Sequence, residues 1–209
     1  MLTVVQVYSE GAEPEWLGLL QGVKSILTHN PDAIASAIPN MPNEEDEFEP
    51  VEPAQVFPGL SQQLRDLQSS VDALSAEDPT SDKYTLPIQE LKNCYGGIFV
   101  RRKDASETRQ RSFMVFAWLY RLEEQYLAAL QGRRPMALVV LMHYLPLMAQ
   151  LHNTWYLDGW VEHIAAAVRA HLHPAYERWL EWPVRALEIS KNSRIDTFVS
   201  SHFGGEKEG

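Results

Sequence analysis

Apolar residues recur every three or four positions along most of this chain, and that period is typical of α-helices. No stretch alternates apolar and polar residues for long enough to build a sheet. With 209 residues the chain is also long enough to bury a core of its own. We therefore predict an all-α fold, a single irregular domain of roughly eight or nine helices over residues 1–203.

Helix-ending residues divide the first half of this pattern into separate helices. The helix that contains Trp16 is expected to end at Asn30–Pro31. The next long helix should stop at Asp78–Pro79, because proline disfavours helical backbone in the residue before it. A third helix is expected to close at Gly96–Gly97, since glycine often ends helices.

Similar signals divide the second half. Ser106 is expected to cap a long helix that Gly132 closes. Pro146 lies within the following apolar stretch and should kink its helix, because proline removes one backbone donor. Pro174 and Pro183 each occupy a plausible first helical turn, which predicts two further short helices.

Residues 39–58 differ sharply from the rest in composition. This segment contains five prolines and six acidic residues but no basic residue. Such a composition buries little apolar surface, so we predict a disordered, acidic, proline-rich surface insertion. An acidic activation segment that uses Phe48, Val51 and Phe57 is the functional alternative. The tail, residues 204–209, is also expected to be disordered.

Charge and cysteine content exclude several kinds of site. The formal net charge of −10 argues against a broad nucleic-acid surface, so we expect no direct nucleic-acid contact. Cys94 is the single cysteine, which excludes a disulfide framework and a cysteine-rich zinc site within this sequence. A basic cluster at residues 101–111 could contact phosphate, contact the acidic insertion or form a solvated loop. The most apolar run, Met136–Leu151, is too short to span a bilayer, so no membrane partner is expected.

The sequence shows no recognisable catalytic constellation. It lacks a glycine-rich phosphate loop, a nucleophile elbow and a two-histidine zinc motif. His171 and His173 are alternate residues and point in different directions on a helix, so no metal site and no cofactor is predicted. His143 lies among apolar residues and could move a proton or hold a ligand hydroxyl. The alternative is a core imidazole bonded to a backbone carbonyl.

Methionine and tryptophan residues in the second half suggest a pocket for a bulky apolar ligand. Methionine adapts to irregular shapes and tryptophan offers a large apolar area, although ordinary core packing would explain the same pattern. The candidate ligand-binding residues are Met114, Trp118, Met142, His143, Met148, Trp155, Gly159 and Trp160.

Five segments, taken in order, resemble part of a known family. They are Trp16–Val23, Phe116–Trp118, Arg133–Tyr144, Trp155–Trp160 and Trp179–Pro183. This order is similar to the C-terminal regulatory domain of fungal zinc binuclear-cluster transcription factors, of the sterol-uptake-control-like group. The resemblance covers most of residues 16–186. It implies an all-α domain that follows a DNA-binding head, dimerises and, in some members, binds a sterol or other lipid.

The sequence departs from that family in two ways. One cysteine cannot build the six-cysteine DNA-binding head, and we expect the first helices of the usual regulatory domain to be absent from this sequence. The chain is therefore expected to be a fragment, a shortened gene product or a free-standing descendant.

The first functional hypothesis is non-enzymatic. It is a regulatory domain in the nucleus or cytoplasm, which senses a sterol or lipid-like molecule and forms a homodimer. The alternative is a small fungal biosynthetic enzyme, a cyclase or isomerase, that uses His143, Tyr144 and Asp158. A third hypothesis is that the chain is an incomplete gene fragment without a separate activity.

Overall fold

Helices form nearly all of the described structure. The computed structural model describes residues 15–29, 49–50, 53–77, 79–98, 100–101, 107–151 and 159–192. The α-helices are α1 (Glu15–His29), α2 (Pro53–Val56), α3 (Leu60–Glu77), α4 (Thr85–Ile98), α5 (Glu107–Arg121), α6 (Glu124–Gln131), α7 (Pro135–Met148), α8 (Trp160–His171) and α9 (Glu177–Asn192). Short 3₁₀ turns at Pro79–Tyr84 and Pro174–Tyr176 precede α4 and α9. The predicted all-α fold class is confirmed.

Helix α7 lies at the centre of the domain. Every residue from Met136 to Met148 is buried. A helix that is apolar on all sides needs neighbours all round, and α7 contacts α4, α6, α8 and α9. The side chains of α7 therefore meet most of the other helices and position the core. None of the helices in the described part is long and apolar enough to cross a bilayer.

The helix ends in the first half follow the sequence signals at two of three places. Helix α1 ends at His29, just before Asn30, and α3 ends at Glu77, just before Asp78–Pro79. The predicted end at Gly96–Gly97 is wrong, because α4 continues to Ile98. Ile98 is buried in the core, and this burial offsets the cost of about 1 kcal/mol for a glycine inside a helix.

The long helix predicted from Ser106 to Gly132 is two helices. The chain leaves the helical path at Leu122 and Glu123, between α5 and α6. The carbonyl of Leu122 accepts a hydrogen bond from the Lys24 ammonium of α1, a contact across the fold that local sequence does not reveal. Gly132 does end α6, and its N–H donates to the carbonyl of Ala128. Ser106 lies outside the described residues.

The proline signals had mixed outcomes. Pro174 begins the 3₁₀ turn before α9, as its first-turn position predicted. Pro183 lies inside α9 rather than at the start of a helix, so that prediction is wrong. Its ring is buried, and the neighbouring Trp182 stacks on His143 of α7. Pro146 lies inside α7, in its last turn.

The end of the acidic segment belongs to the fold. Strand β1 (Glu49–Pro50) pairs antiparallel with β2 (Val100–Arg101), with Glu49 opposite Arg101. Helix α2 follows, and the Phe57 side chain is fully buried. The surface insertion predicted for residues 39–58 therefore does not extend to its last residues, because Phe57 packs in the core. Residues 39–48 and the tail after residue 192 lie outside the described structure.

Candidate functional site

His143 is the buried polar residue at the centre of the core. Its Nδ1 lies 2.8 Å from the Val139 carbonyl oxygen, and its Nε2 lies 3.3 Å from the Gln63 amide nitrogen. Only a protonated Nδ1 can donate to the carbonyl, so Nε2 is the acceptor and Gln63 donates to it. Burial lowers the pKa of His143 to about 4, and the imidazole is neutral at physiological pH.

The Trp182 ring stacks on this imidazole, and the rings of Phe57 and Tyr95 pack against Trp182. We call these four residues the His143 cluster: Phe57, Tyr95, His143 and Trp182. The Phe57 ring meets Tyr95 edge-on at 5.7 Å and Trp182 at 6.1 Å between centroids. The Tyr95 hydroxyl donates to the carbonyl of His143 at 2.8 Å, and the Trp182 indole N–H donates to that of Pro58 at 2.9 Å. The cluster thus joins α4, α7, α9 and the α2–α3 turn.

The next residue of α7, Tyr144, belongs to a separate aromatic group. Its ring stacks on Trp118 at 4.1 Å between centroids, and Tyr126 meets Trp118 edge-on at 5.9 Å. The Tyr144 hydroxyl donates to the Val115 carbonyl at 3.0 Å, and the Trp118 indole N–H donates to the Pro87 carbonyl at 2.8 Å. Burial raises the pKa values of Tyr126 and Tyr144 well above their usual range. Both phenols therefore stay protonated donors.

The predicted ligand-binding residues on α5 and α7 are packed side chains. Met142 and His143 are fully buried and Met148 nearly so. Trp118 packs with Tyr144, whereas His143 faces Trp182. Met114 is half-buried. A guest molecule at this place would have to displace packed side chains, and ligand binding by these residues stays a prediction.

The remaining predicted residues lie near the start of α8. Gly159 is exposed and precedes the helix with a φ of +71°, a left-handed conformation that glycine adopts readily. Trp160 is buried, and its indole N–H has no hydrogen-bond partner among the described residues. The side-chain oxygen of Gln150 is likewise buried and has no partner in the described part of the chain, although its nitrogen donates to Ser190 at 2.7 Å. Trp155 lies outside the described residues.

The residues of the enzyme hypothesis do not form an exposed acid–base pair in the described structure. His143 and Tyr144 are both fully buried, and their polar atoms bond to other groups of the fold. Asp158 lies outside the described residues. His171 and His173 are exposed, and no group of three or more metal-ligating side chains occurs among the described residues.

Surface grooves lie in the described part of the chain. One of them has a volume of about 630 Å³ and lies between α8 and α9. We call it the α8–α9 groove, and its lining residues are Ala166, Arg169, Ala170, Leu172, His173, Pro174, Glu177, Leu180, Glu181 and Val184. The second, of about 430 Å³, lies between α3 and α9 beside Trp179. Neither groove is lined by a predicted ligand-binding residue.

Sequence reasoning missed two features of these sites. Trp182 was noticed only as part of a motif, and its contact with His143 joins residues far apart in sequence. The α8–α9 groove did have a local signal. Ala166 and Ala170 form a second stripe on α8, away from the buried stripe of Ile164 and Val168. Small exposed residues on a helix whose other face is buried indicate a place where another backbone can approach.

Similarity to known proteins is distant. A Zn(2)-C6 fungal-type transcription factor of Gibberella zeae is 22% identical to this chain over 191 residues. The chain has a distant homologue among fungal transcription factors. The match covers 85% of this chain and 35% of that protein, so the chain spans about a third of the relative's length. No known family profile and no solved structure matches the sequence.

This homologue supports the coarse part of the resemblance seen in the motifs. The predicted similarity to fungal zinc-cluster transcription factors, taken as a broad group, is confirmed. The assignment to a C-terminal regulatory domain, and to the sterol-uptake-control-like group, stays a prediction.

Proposed function

We propose that this chain is a regulatory domain of a fungal transcription regulator. The observation that carries the proposal is the similarity to a Zn(2)-C6 fungal-type transcription factor over 85% of the chain. The way the core uses its polar groups supports a non-catalytic role. His143, Tyr95, Tyr126 and Tyr144 all bond to groups within the fold. These side chains hold helices together and leave no free acid or base among them.

We propose no contact with DNA by these 209 residues themselves. A zinc cluster of the family's kind needs several cysteine thiolates, and the one cysteine here, Cys94, is buried and donates to the Met114 carbonyl. The net charge of −10 also disfavours contact with phosphate. The domain would therefore act in the nucleus through other proteins or through a ligand.

A transcription reporter tests this proposal. The chain is fused to an unrelated DNA-binding domain, and transcription from a matching promoter is compared with that of the DNA-binding domain alone. We expect the fusion to raise or lower transcription several-fold. A Trp182→Ala fusion, which disrupts the His143 cluster, is expected to lose the effect. An unchanged reporter with a folded, nuclear fusion would contradict the proposal.

Sterol sensing is the finer part of the proposal. It rests on the resemblance and on the methionine and tryptophan side chains around α7. Because a ligand that binds only the native state stabilises it, a true ligand should raise the melting temperature in a concentration-dependent way. The test is thermal unfolding of the purified chain with a panel of sterols and fatty acids. No shift at ligand saturation would remove sensing from the proposal and leave the interaction role.

A further inference from the structure

The groove beside Trp179 carries opposite charges on its two walls. We call it the α3–α9 groove, and its lining residues are Gln63, Asp66, Ser69, Ser70, Arg178 and Trp179. Asp66 lies on the α3 wall and Arg178 on the α9 wall, and both side chains are exposed. In the described part of the chain these two side chains form no ion pair with each other. Both charges therefore remain open to an occupant of the groove.

The α3 wall presents hydrogen-bond acceptors. The Gln62 amide donates to one carboxylate oxygen of Asp66 at 2.6 Å, which leaves the other oxygen as an acceptor. One turn earlier, the amide nitrogen of Gln63 donates to the buried imidazole of His143. The amide oxygen of Gln63 makes no hydrogen bond to a described residue. This wall therefore suits a ligand group that only donates, such as an ammonium.

The α9 wall presents a donor beside an apolar ring. The Arg178 guanidinium lies over the indole of Trp179, 5.1 Å from its centroid, and this contact holds the charge at the wall. A guanidinium only donates, and its planar fork matches a carboxylate. Trp179 is half-buried, so part of its ring offers apolar surface to the groove. This wall suits a carboxylate that is attached to an apolar group.

A free α-amino acid combines these features. We propose that the α3–α9 groove binds a small zwitterion of this class, with its ammonium at Asp66 and Gln63, its carboxylate at Arg178 and its side chain on Trp179. The groove volume of about 430 Å³ suits a small molecule. Gln63 would connect the occupant to His143 at the centre of the core. The proposal goes beyond the regulatory role above, and it uses none of the residues considered for a sterol.

Two-dimensional proton–nitrogen NMR spectra of the full chain, titrated with L-phenylalanine, test the site. The indole signal of Trp179 is assigned by its absence from Trp179→Phe. We expect this signal to shift saturably, with a dissociation constant on the order of a millimolar for so small a ligand.

Two analogues test the need for both charges. L-phenylalanine amide lacks the carboxylate, and N-acetyl-L-phenylalanine lacks the ammonium. Each should bind at least about threefold more weakly, because it loses one partly exposed ion pair. The analogues also represent the two ends of a peptide, so the comparison separates a free amino acid from a peptide terminus. Equally tight binding of either analogue would overturn the proposal.

Variants on the two walls complete the test. Asp66→Asn and Arg178→Gln should each weaken binding of L-phenylalanine at least about threefold. Asp72 is the matched control, since it is exposed on α3 and accepts from a side-chain amide as Asp66 does, but does not line the groove. Asp72→Asn should leave binding unchanged, and circular dichroism checks that each variant is folded. An unshifted Trp179 signal, undiminished binding by either groove variant, or equal weakening by Asp72→Asn would each contradict the site. None of these outcomes depends on the reporter or on the sterol titration.

Discussion

The imidazole ring of His143 stacks on the indole ring of Trp182, with 5.7 Å between the centroids and 10° between the planes. This contact joins the central helix α7 to α9. The imidazole is neutral, with one nitrogen donating to Val139 and the other accepting from Gln63. A proton added to Nε2 would turn that acceptor into a donor facing the Gln63 amide, and it would place a charge in an apolar site.

The fold is expected to become less stable as the pH falls, because His143 is buried as a neutral imidazole. Its pKa is about 4 in the folded chain and about 6.5 in the unfolded chain. Between these values only the unfolded state takes up the proton, so the free energy of unfolding decreases as pH falls. The full loss is about 3 kcal/mol near pH 4. Urea unfolding at pH values from 7.5 to 4 measures this loss of stability, and the loss should be much smaller in His143→Gln.

Carboxylates also titrate in this range, so the comparison needs a matched histidine. His163 is exposed on α8, and His163→Gln is the matched removal of a histidine from the surface. Equal pH dependence in the two variants would contradict the role given to His143.

Trp182→Phe should destabilise the fold more than Trp179→Phe. The first change removes the hydrogen bond to the Pro58 carbonyl and leaves space beside His143. We expect a cost of roughly 1–3 kcal/mol. Trp179 is half-buried, with the Arg178 guanidinium over its ring at 5.1 Å, and its replacement should cost less than about 1 kcal/mol. Equilibrium urea unfolding gives both values, and the reverse order would show that the His143 cluster contributes little.

The Cys94 thiol should be protected from modification in the native state. It is buried, it donates to the Met114 carbonyl at 3.1 Å, and burial raises its pKa to about 12. Reaction with an aromatic disulfide reagent at pH 8 should be at least about a hundredfold slower than for an exposed thiol. The reference is Ser69→Cys on a Cys94→Ala background, because Ser69 is exposed on α3. Equal rates in the two proteins would refute the packing around Cys94.

Alanine at Gly96 and at Gly97 should have different effects. A Cβ at Gly96 meets no atom within 4 Å, so Gly96→Ala should stabilise α4 by about 0.5–1 kcal/mol. A Cβ at Gly97 would overlap the methyl group of Met114, which would have to move. Gly97→Ala should therefore stabilise α4 less than Gly96→Ala does, or destabilise it. Thermal unfolding compares them, and the difference should shrink on a Met114→Ala background. If the difference between the two variants remains on the Met114→Ala background, the contact with Met114 is not its cause.

The parts of the fold that were predicted correctly depend on local signals. The ends of α1 and α3, and the cap at Gly132, follow from glycine, proline and asparagine acting on their own neighbours. At the break between α5 and α6, the Leu122 carbonyl contacts Lys24, almost a hundred residues earlier in the chain. The composition of residues 39–58 predicts that Phe57 lies in a surface insertion, because its neighbours are acidic. Its ring instead packs against Tyr95 and Trp182.

The candidate site shows the same division between local and distant causes. For His143, one of the two interpretations of the sequence is a core imidazole bonded to a backbone carbonyl. Val139, four residues earlier, provides that carbonyl. The stacking with Trp182 and the contact with Gln63 join separate helices, and a single sequence does not encode such pairs in its spacing.

Five aromatic side chains each donate a hydrogen bond to a main-chain oxygen of another segment. The donors are Tyr95, Trp118, Tyr126, Tyr144 and Trp182. Equivalent oxygens on a helix recur only once per turn, about 5.4 Å apart. A helix that slid by a fraction of that distance would break its bonds without forming new ones. Under the proposed regulatory role, a signal should therefore rotate or release the domain as one body, because these hydrogen bonds oppose gradual sliding of its helices.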